Sequence, residues 1–263
     1  MKRSLHIGIN DYPGTRSDLH GCVNDAKDWQ QEMVNRGFNT QIILNDKATK
    51  GNMFEAIDNI IKKTQDGDVA VITFSGHGTW VKDASGDEKD GRDEALCPYD
   101  TNRGKIFLDD ELFMLFNQRR DGAHVVFISD SCHSGTMSRA FDFTEHADEC
   151  PVDRRFLDTQ EFRGNDITEK LWTQKPIEGV DEEAVVFFSG CADTEYSYDA
   201  SFNGRPNGAF TYVALKALKE LNDNSTYQEW YSKIRETLPQ ARYPQTPKLL
   251  GSNEQISQKI FDI

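Results

Sequence analysis

What most constrains the fold of this chain is a regular alternation. Short runs rich in valine, isoleucine and phenylalanine are separated by stretches of helical periodicity. The runs are SLHIGIN (4–10), TQIILN (40–45), DVAVITFSG (68–76), AHVVFISD (123–130) and EAVVFFSG (183–190), with a shorter sixth at PKLLG (247–251). Helical patterns fall at 21–36, 50–63, 109–118, 208–221 and 226–237. Runs this apolar predict strands buried on both faces. Alternation with helices then predicts an open, mostly parallel β-sheet with helices on both faces, in an α/β single domain. A chain of 263 residues is long enough to bury such a core.

Two segments break the alternation. VKDASGDEKDGRDEALCPYD (81–100) reads as a polar, acid-rich loop, and about 138–182 is long, charged and poorly periodic. Loops of this length in a compact domain are usually functional or mobile. The net charge of −14 argues against a nucleic-acid partner, because phosphate binding needs a basic excess. It suits a cationic ligand, although most of these charges read as an ordinary solvated surface. Five cysteines, widely spaced and without a CxxC pair, give no support to a zinc knuckle. Cys22, Cys97, Cys150 and Cys191 read as packing residues. MKRSLHIGIN reads as a first strand rather than a signal peptide. No stretch approaches the ~18 apolar residues of a membrane span, so no membrane partner is expected. A reducing, cytoplasmic setting with free thiols is the default expectation.

The chemistry gathers at two strand ends. The third run closes in FSGHG (74–78) and the fourth in ISDSCHSG (128–135). Ligands of an open parallel sheet bind beyond the carboxyl ends of its strands. His77 and Cys132 are therefore expected at one edge, from strands that can be neighbours, which is what a Cys–His dyad requires. A free thiol is only slightly ionised at neutral pH, and a nearby base or cation raises that fraction. Cys132 would attack, and His77 would hand the proton to the leaving amine. Gly76 and Gly78 allow close backbone approach. The N–H groups of Gly78 and Cys132 could hold a tetrahedral oxyanion, a role in which losing one donor typically costs about 10²–10³ in rate. His133 is the rival base, but a side chain next in sequence to the nucleophile normally points elsewhere. His6 and His20 carry no supporting pattern and are read as structural.

SGHG followed by DSCHSG resembles the caspase-like cysteine peptidases, and specifically the metacaspases, with the histidine about 50 residues upstream of the cysteine. LHGCVNDA (19–26), DEALCPYD (93–100), IFLDDEL (106–112), SGCADTEYS (189–197), NGAFTYVAL (207–215) and PQTPKL (244–249) look like metacaspase segments in the right order. The resemblance implies a caspase-like fold with a large-subunit-like part at about 1–137, a linker at about 138–182 and a small-subunit-like part at about 183–263. It implies Cys132 as nucleophile, His77 as acid–base partner, and cleavage of protein or peptide substrates after Arg or Lys. The acidic pocket for the basic side chain maps to Asp25 and Asp130, bordered by Ser75. Chemistry agrees, since a buried guanidinium requires carboxylate partners. Calcium binding maps to Asp93, Asp109 and Asp110, but the family's acidic residue after the nucleophile is absent here, where GTMSRAF has no carboxylate before Asp142. The alternative for Asp109 and Asp110 is a helix cap. Arg154, Arg155 and Arg163 are the candidate processing sites of a zymogen, and a monomer is expected.

Three other readings compete. A catalytically silent caspase-like scaffold would often have lost one of Cys132, His77, Asp25 and Asp130. A caspase-clan peptidase of non-basic specificity would differ in the pocket. A nucleotide-binding doubly wound protein should show GxGxxG in its first turn, and GINDYPGTRSD (8–18) fails that pattern.

Overall fold

The computed structural model describes residues 1–82, 92–132, 152–158, 185–192 and 194–262. In chain order the elements begin with β1 (Lys2–Gly8), α1 (Cys22–Asn35), β2 (Asn39–Leu44), α2 (Lys50–Lys63) and β3 (Val69–Ser75). Next come β4 (Gly78–Lys82), β5 (Arg92–Leu96), β6 (Phe107–Leu108), α3 (Asp109–Phe116) and β7 (His124–Asp130). The remainder are β8 (Asp153–Arg154), β9 (Val186–Ser189), β10 (Tyr198–Phe202), β11 (Arg205–Gly208), α4 (Ala209–Glu220), α5 (Tyr227–Arg235), β12 (Lys248–Leu250) and α6 (Asn253–Ile256).

The expected sheet is present, in the order β12-β9-β7-β3-β1-β2. All its pairings are parallel except that of the edge strand β12 with β9. The period of two decides which core each residue enters. Ala70, Ile72, Phe74, Val125 and Phe127 join Leu5 and Ile7 on one face, under Met53, Ile57 and Ile61 of α2 and Leu112, Leu115 and Phe116 of α3. Val69, Val71, Val126, Ile128, Val186 and Phe188 point the other way, against Trp29 and Met33 of α1, Val213 of α4 and Trp230 of α5. Both faces of β3 and β7 are covered, and all seven residues of each are buried. The polar exceptions satisfy one another: His6 bonds Ser4 and Thr73, and His124 bonds Tyr227.

Two segments expected to be irregular are not wholly so. Part of 81–100 is strand, because β5 pairs antiparallel with β4 and β6 and buries Asp93, Ala95 and Leu96. Residues 83–91 lie outside the described residues. Within 138–182, Asp153–Arg154 is a two-residue strand that exists through pairing with β10, which also pairs with β11. No helix among the described residues is long and apolar enough to cross a membrane.

Candidate active site

Register brings the two motifs together. Ser75 of β3 is the parallel partner of Asp130 of β7. His77 and Cys132 each lie two residues beyond, so both leave the same sheet edge in step. Both are buried. His77 is fixed from three sides. Its Nε2 is 2.5 Å from the Ser17 carbonyl, which can only accept, so this nitrogen carries the hydrogen. Its backbone N–H donates to the Tyr12 hydroxyl at 2.7 Å, and the Tyr12 ring packs 4.6 Å from the imidazole. The Nδ1 lone pair has no hydrogen-bond partner among the described residues. Burial pushes the His77 pKa down to about 4, against the hydrogen bond to the Ser17 carbonyl. The ring is therefore neutral at pH 7. Cys132 Sγ lies against Ser197, receiving its N–H at 2.6 Å and facing its carbonyl at 3.3 Å.

The decisive contact is made by the chain itself. The carbonyl oxygen of Arg155 accepts from Gly78 N at 2.9 Å and from Cys132 N at 3.2 Å. These are the two donors expected to hold an oxyanion, and they converge on one peptide oxygen. The closeness explains Gly78, where a Cβ would stand 1.9 Å from the Cys132 carbonyl oxygen.

The side chain of the same residue fills a buried acidic pocket. Arg155 Nη2 lies 2.6 Å from Asp25 and 2.9 Å from Asp199, and Nη1 lies 3.2 Å from the Asp130 carboxylate and 3.0 Å from its carbonyl. Ser75 Oγ borders the group, bonding Asp25 at 3.2 Å and lying 3.5 Å from Nη1. Each carboxylate also has donors of its own. Asp25 receives Gly208 N and Asn207 Nδ2, Asp130 receives Thr211 N, Thr211 Oγ1 and Ser197 Oγ, and Asp199 receives the N–H groups of His20 and Gly21. The pocket is thus held open in shape by bonds that do not need the guanidinium. Burial raises the Asp25 pKa to about 6, against the pull of Arg155. Burial would lower that of Arg155, but the carboxylates of Asp130, Asp25 and Asp199 more than reverse it.

Segment 152–158 lies across this site as an extended peptide. Asp153 and Arg154 pair antiparallel with Asp199 and Tyr198, Arg155 N donates to Ser197 O at 2.9 Å, and Leu157 N donates to Gly78 O at 3.0 Å. Arg155 and Leu157 are fully buried. The fold thus gathers a thiol, an imidazole and two converging N–H donors at one sheet edge, beside a buried acidic pocket that holds the Arg155 guanidinium.

The comparisons agree. The Caspase domain family model matches residues 1–256, and the chain belongs to that family, with metacaspase-like character. It is similar to Metacaspase-3 of Arabidopsis thaliana, with 34% identity over 86% of this chain and 62% of the relative. It is likewise similar to Metacaspase-1 of Yarrowia lipolytica, with 29% identity over 96% of this chain and 62% of the relative. The chain thus spans under two thirds of the length of these relatives. A crystal structure of a protein from Geobacter sulfurreducens superposes with a TM-score of 0.79 at 28% identity, covering 100% of this chain and 98% of that one.

Other expected site residues are placed as follows. Arg154 stacks over Tyr196, while Arg163, His133 and Cys150 lie outside the described residues. Asp93 is on β5, and Asp109 and Asp110 open α3, whose first turn is acidic. Among the described residues no group of three or more His, Cys, Asp or Glu side chains is placed to hold a metal. Cys22, Cys97 and Cys191 are buried free thiols. Asp199, Tyr12 and Ser197 escaped the sequence reading as functional residues. Asp199 stands two residues beyond the quoted SGCADTEYS, in the short run YDASF, which has no distinguishing pattern.

Proposed function

We propose that this protein is a cysteine endopeptidase that cleaves after arginine, and less readily after lysine, and that the Arg155–Phe156 bond is its own first substrate. One observation carries the reading: a single residue, Arg155, has its carbonyl oxygen on the paired N–H groups of Gly78 and Cys132 while its guanidinium is held by Asp25, Asp130 and Asp199. A planar guanidinium meets this set of carboxylates through two nitrogens, which a lysine ammonium cannot reproduce.

The steps follow from the atoms present. The Cys132 thiol gives its proton to the open Nδ1 of His77, and Sγ bonds to the carbonyl carbon of Arg155. The oxygen takes up the negative charge between Gly78 N and Cys132 N. The carbon–nitrogen bond to Phe156 then breaks, and His77 delivers its proton to the departing nitrogen. Water hydrolyses the thioester, His77 taking one proton and returning it to sulfur. The Ser17 carbonyl keeps the ring aligned throughout, and Ser197 N–H stabilises charge on Sγ.

Until that bond is cut, segment 152–158 excludes other substrates, so the uncut chain is a zymogen in this reading. Purified protein and Cys132→Ala are assayed on fluorogenic peptides ending in Arg, Lys, Asp or Asn, with calcium and with chelator. Cleavage after Arg above Lys, absent in Cys132→Ala, is the expected result. Cleavage after Asp or Asn instead would overturn the pocket assignment, and unchanged rates in chelator would dispose of a calcium requirement.

A further inference from the structure

Peptides recognised by strand addition gain affinity from the backbone and selectivity from alternate side chains. Segment 152–158 is held in this way along β10. The period of two sends Arg155 into the acidic pocket and its neighbour Arg154 to the opposite side. There the Arg154 guanidinium lies 4.5 Å from the centroid of the Tyr196 ring. The ring of Phe156, on the far side of Arg155, meets the same tyrosine edge to face at 6.0 Å. Tyr196 is in turn fixed by sequence, since the next residue, Ser197, bonds Cys132 Sγ, the Arg155 N–H and Asp130. One aromatic side chain therefore touches the residue on each side of the arginine.

We infer that Tyr196 is a specificity-determining residue that selects a second arginine immediately before the cleaved one and an aromatic residue immediately after it, making Arg-Arg-Phe the preferred substrate class. The inference rests on the reading that Arg155 is bound as a substrate. The physical basis is the attraction of a guanidinium to the negative face of a phenol ring, supplemented by edge-to-face packing of a second ring. A partly exposed contact of this kind corresponds to about three- to tenfold in kcat/KM.

The test compares internally quenched peptides carrying Arg, citrulline or Ala before a common Arg-Phe, and Phe or Ala after a common Arg-Arg. The enzymes are the full-length protein, Tyr196→Phe and Tyr196→Leu. Citrulline keeps the shape of arginine without its charge. The expected result is that the unaltered enzyme favours Arg over both replacements by about three- to tenfold. Tyr196→Phe should keep that order, and Tyr196→Leu should compress it to within about twofold while still cleaving Ala-Arg peptides. An unaltered enzyme indifferent to the preceding residue overturns the inference while leaving arginine cleavage intact. A preference that survives in Tyr196→Leu overturns the role of the ring. No cleavage of any arginine peptide overturns the underlying reading, and this inference with it. The substrate preference itself is read on the unaltered enzyme, so that arm of the test does not depend on either variant folding.

Discussion

Single carbons decide the pocket. A Cβ at position 208 would stand 2.2 Å from Asp130 Oδ2 and 2.5 Å from Arg155 Nη1. Gly208→Ala should therefore abolish arginine cleavage without removing a charge, measured as loss of activity with a melting temperature within a few degrees of normal. Asp199→Asn removes one of three carboxylates facing the guanidinium. Breaking a buried charge pair typically costs about 2–5 kcal/mol, so kcat/KM on arginine peptides should fall about 30-fold or more, chiefly through KM. Equal rates on arginine peptides would contradict its place in the pocket. Cys132, His77, Asp25 and Asp130 were legible because each stands at a strand end or in a short motif. Asp199 and Tyr12 were not, since their roles arise only when β10 and the loop after β1 close over that edge.

At the level of elements, the six strands of the main sheet and α1 to α5 among the described residues were readable because burial on two faces writes continuous apolar runs, and helices write their own period. The strands β4, β5 and β8 were not readable, because pairing rather than composition makes them strands. Strand β8 is the informative case. Its two residues place Arg155, and β8 is held by β10 on one side while Leu157 is buried beyond. Arg155→Gln removes the cation and leaves a shorter, uncharged side chain. Such a chain should not cut itself between 155 and 156, yet its pocket, supported by its own donors, should still accept arginine peptides once the segment is displaced. Gel analysis after incubation reads the first effect, and hydrolysis of arginine peptides after limited chymotrypsin treatment and removal of that protease the second.

For the whole molecule, buried histidines set the response to acid. Burial holds His6 near 3 and His77 and His124 near 4, below the ordinary 6.5. As pH falls below 6.5 the unfolded chain takes up these protons and the folded one does not, so each histidine removes about 1.4 kcal/mol of stability per pH unit until its folded pKa is reached. Asp25 acts oppositely between about 6 and 3.8, because the folded state protonates first. Three histidines outweigh one carboxyl, so the melting temperature of Cys132→Ala should decline from pH 6.5 to 5, and a flat profile would contradict the burial. Protonation of Asp25 should also raise KM for arginine peptides as pH falls through about 6. The most direct test of the central claim is the intact mass of the purified protein beside that of Cys132→Ala. Two fragments meeting between Arg155 and Phe156, with Cys132→Ala uncut, is the result this account predicts. A cut elsewhere, no cut in active enzyme, or the same cut in Cys132→Ala would contradict it.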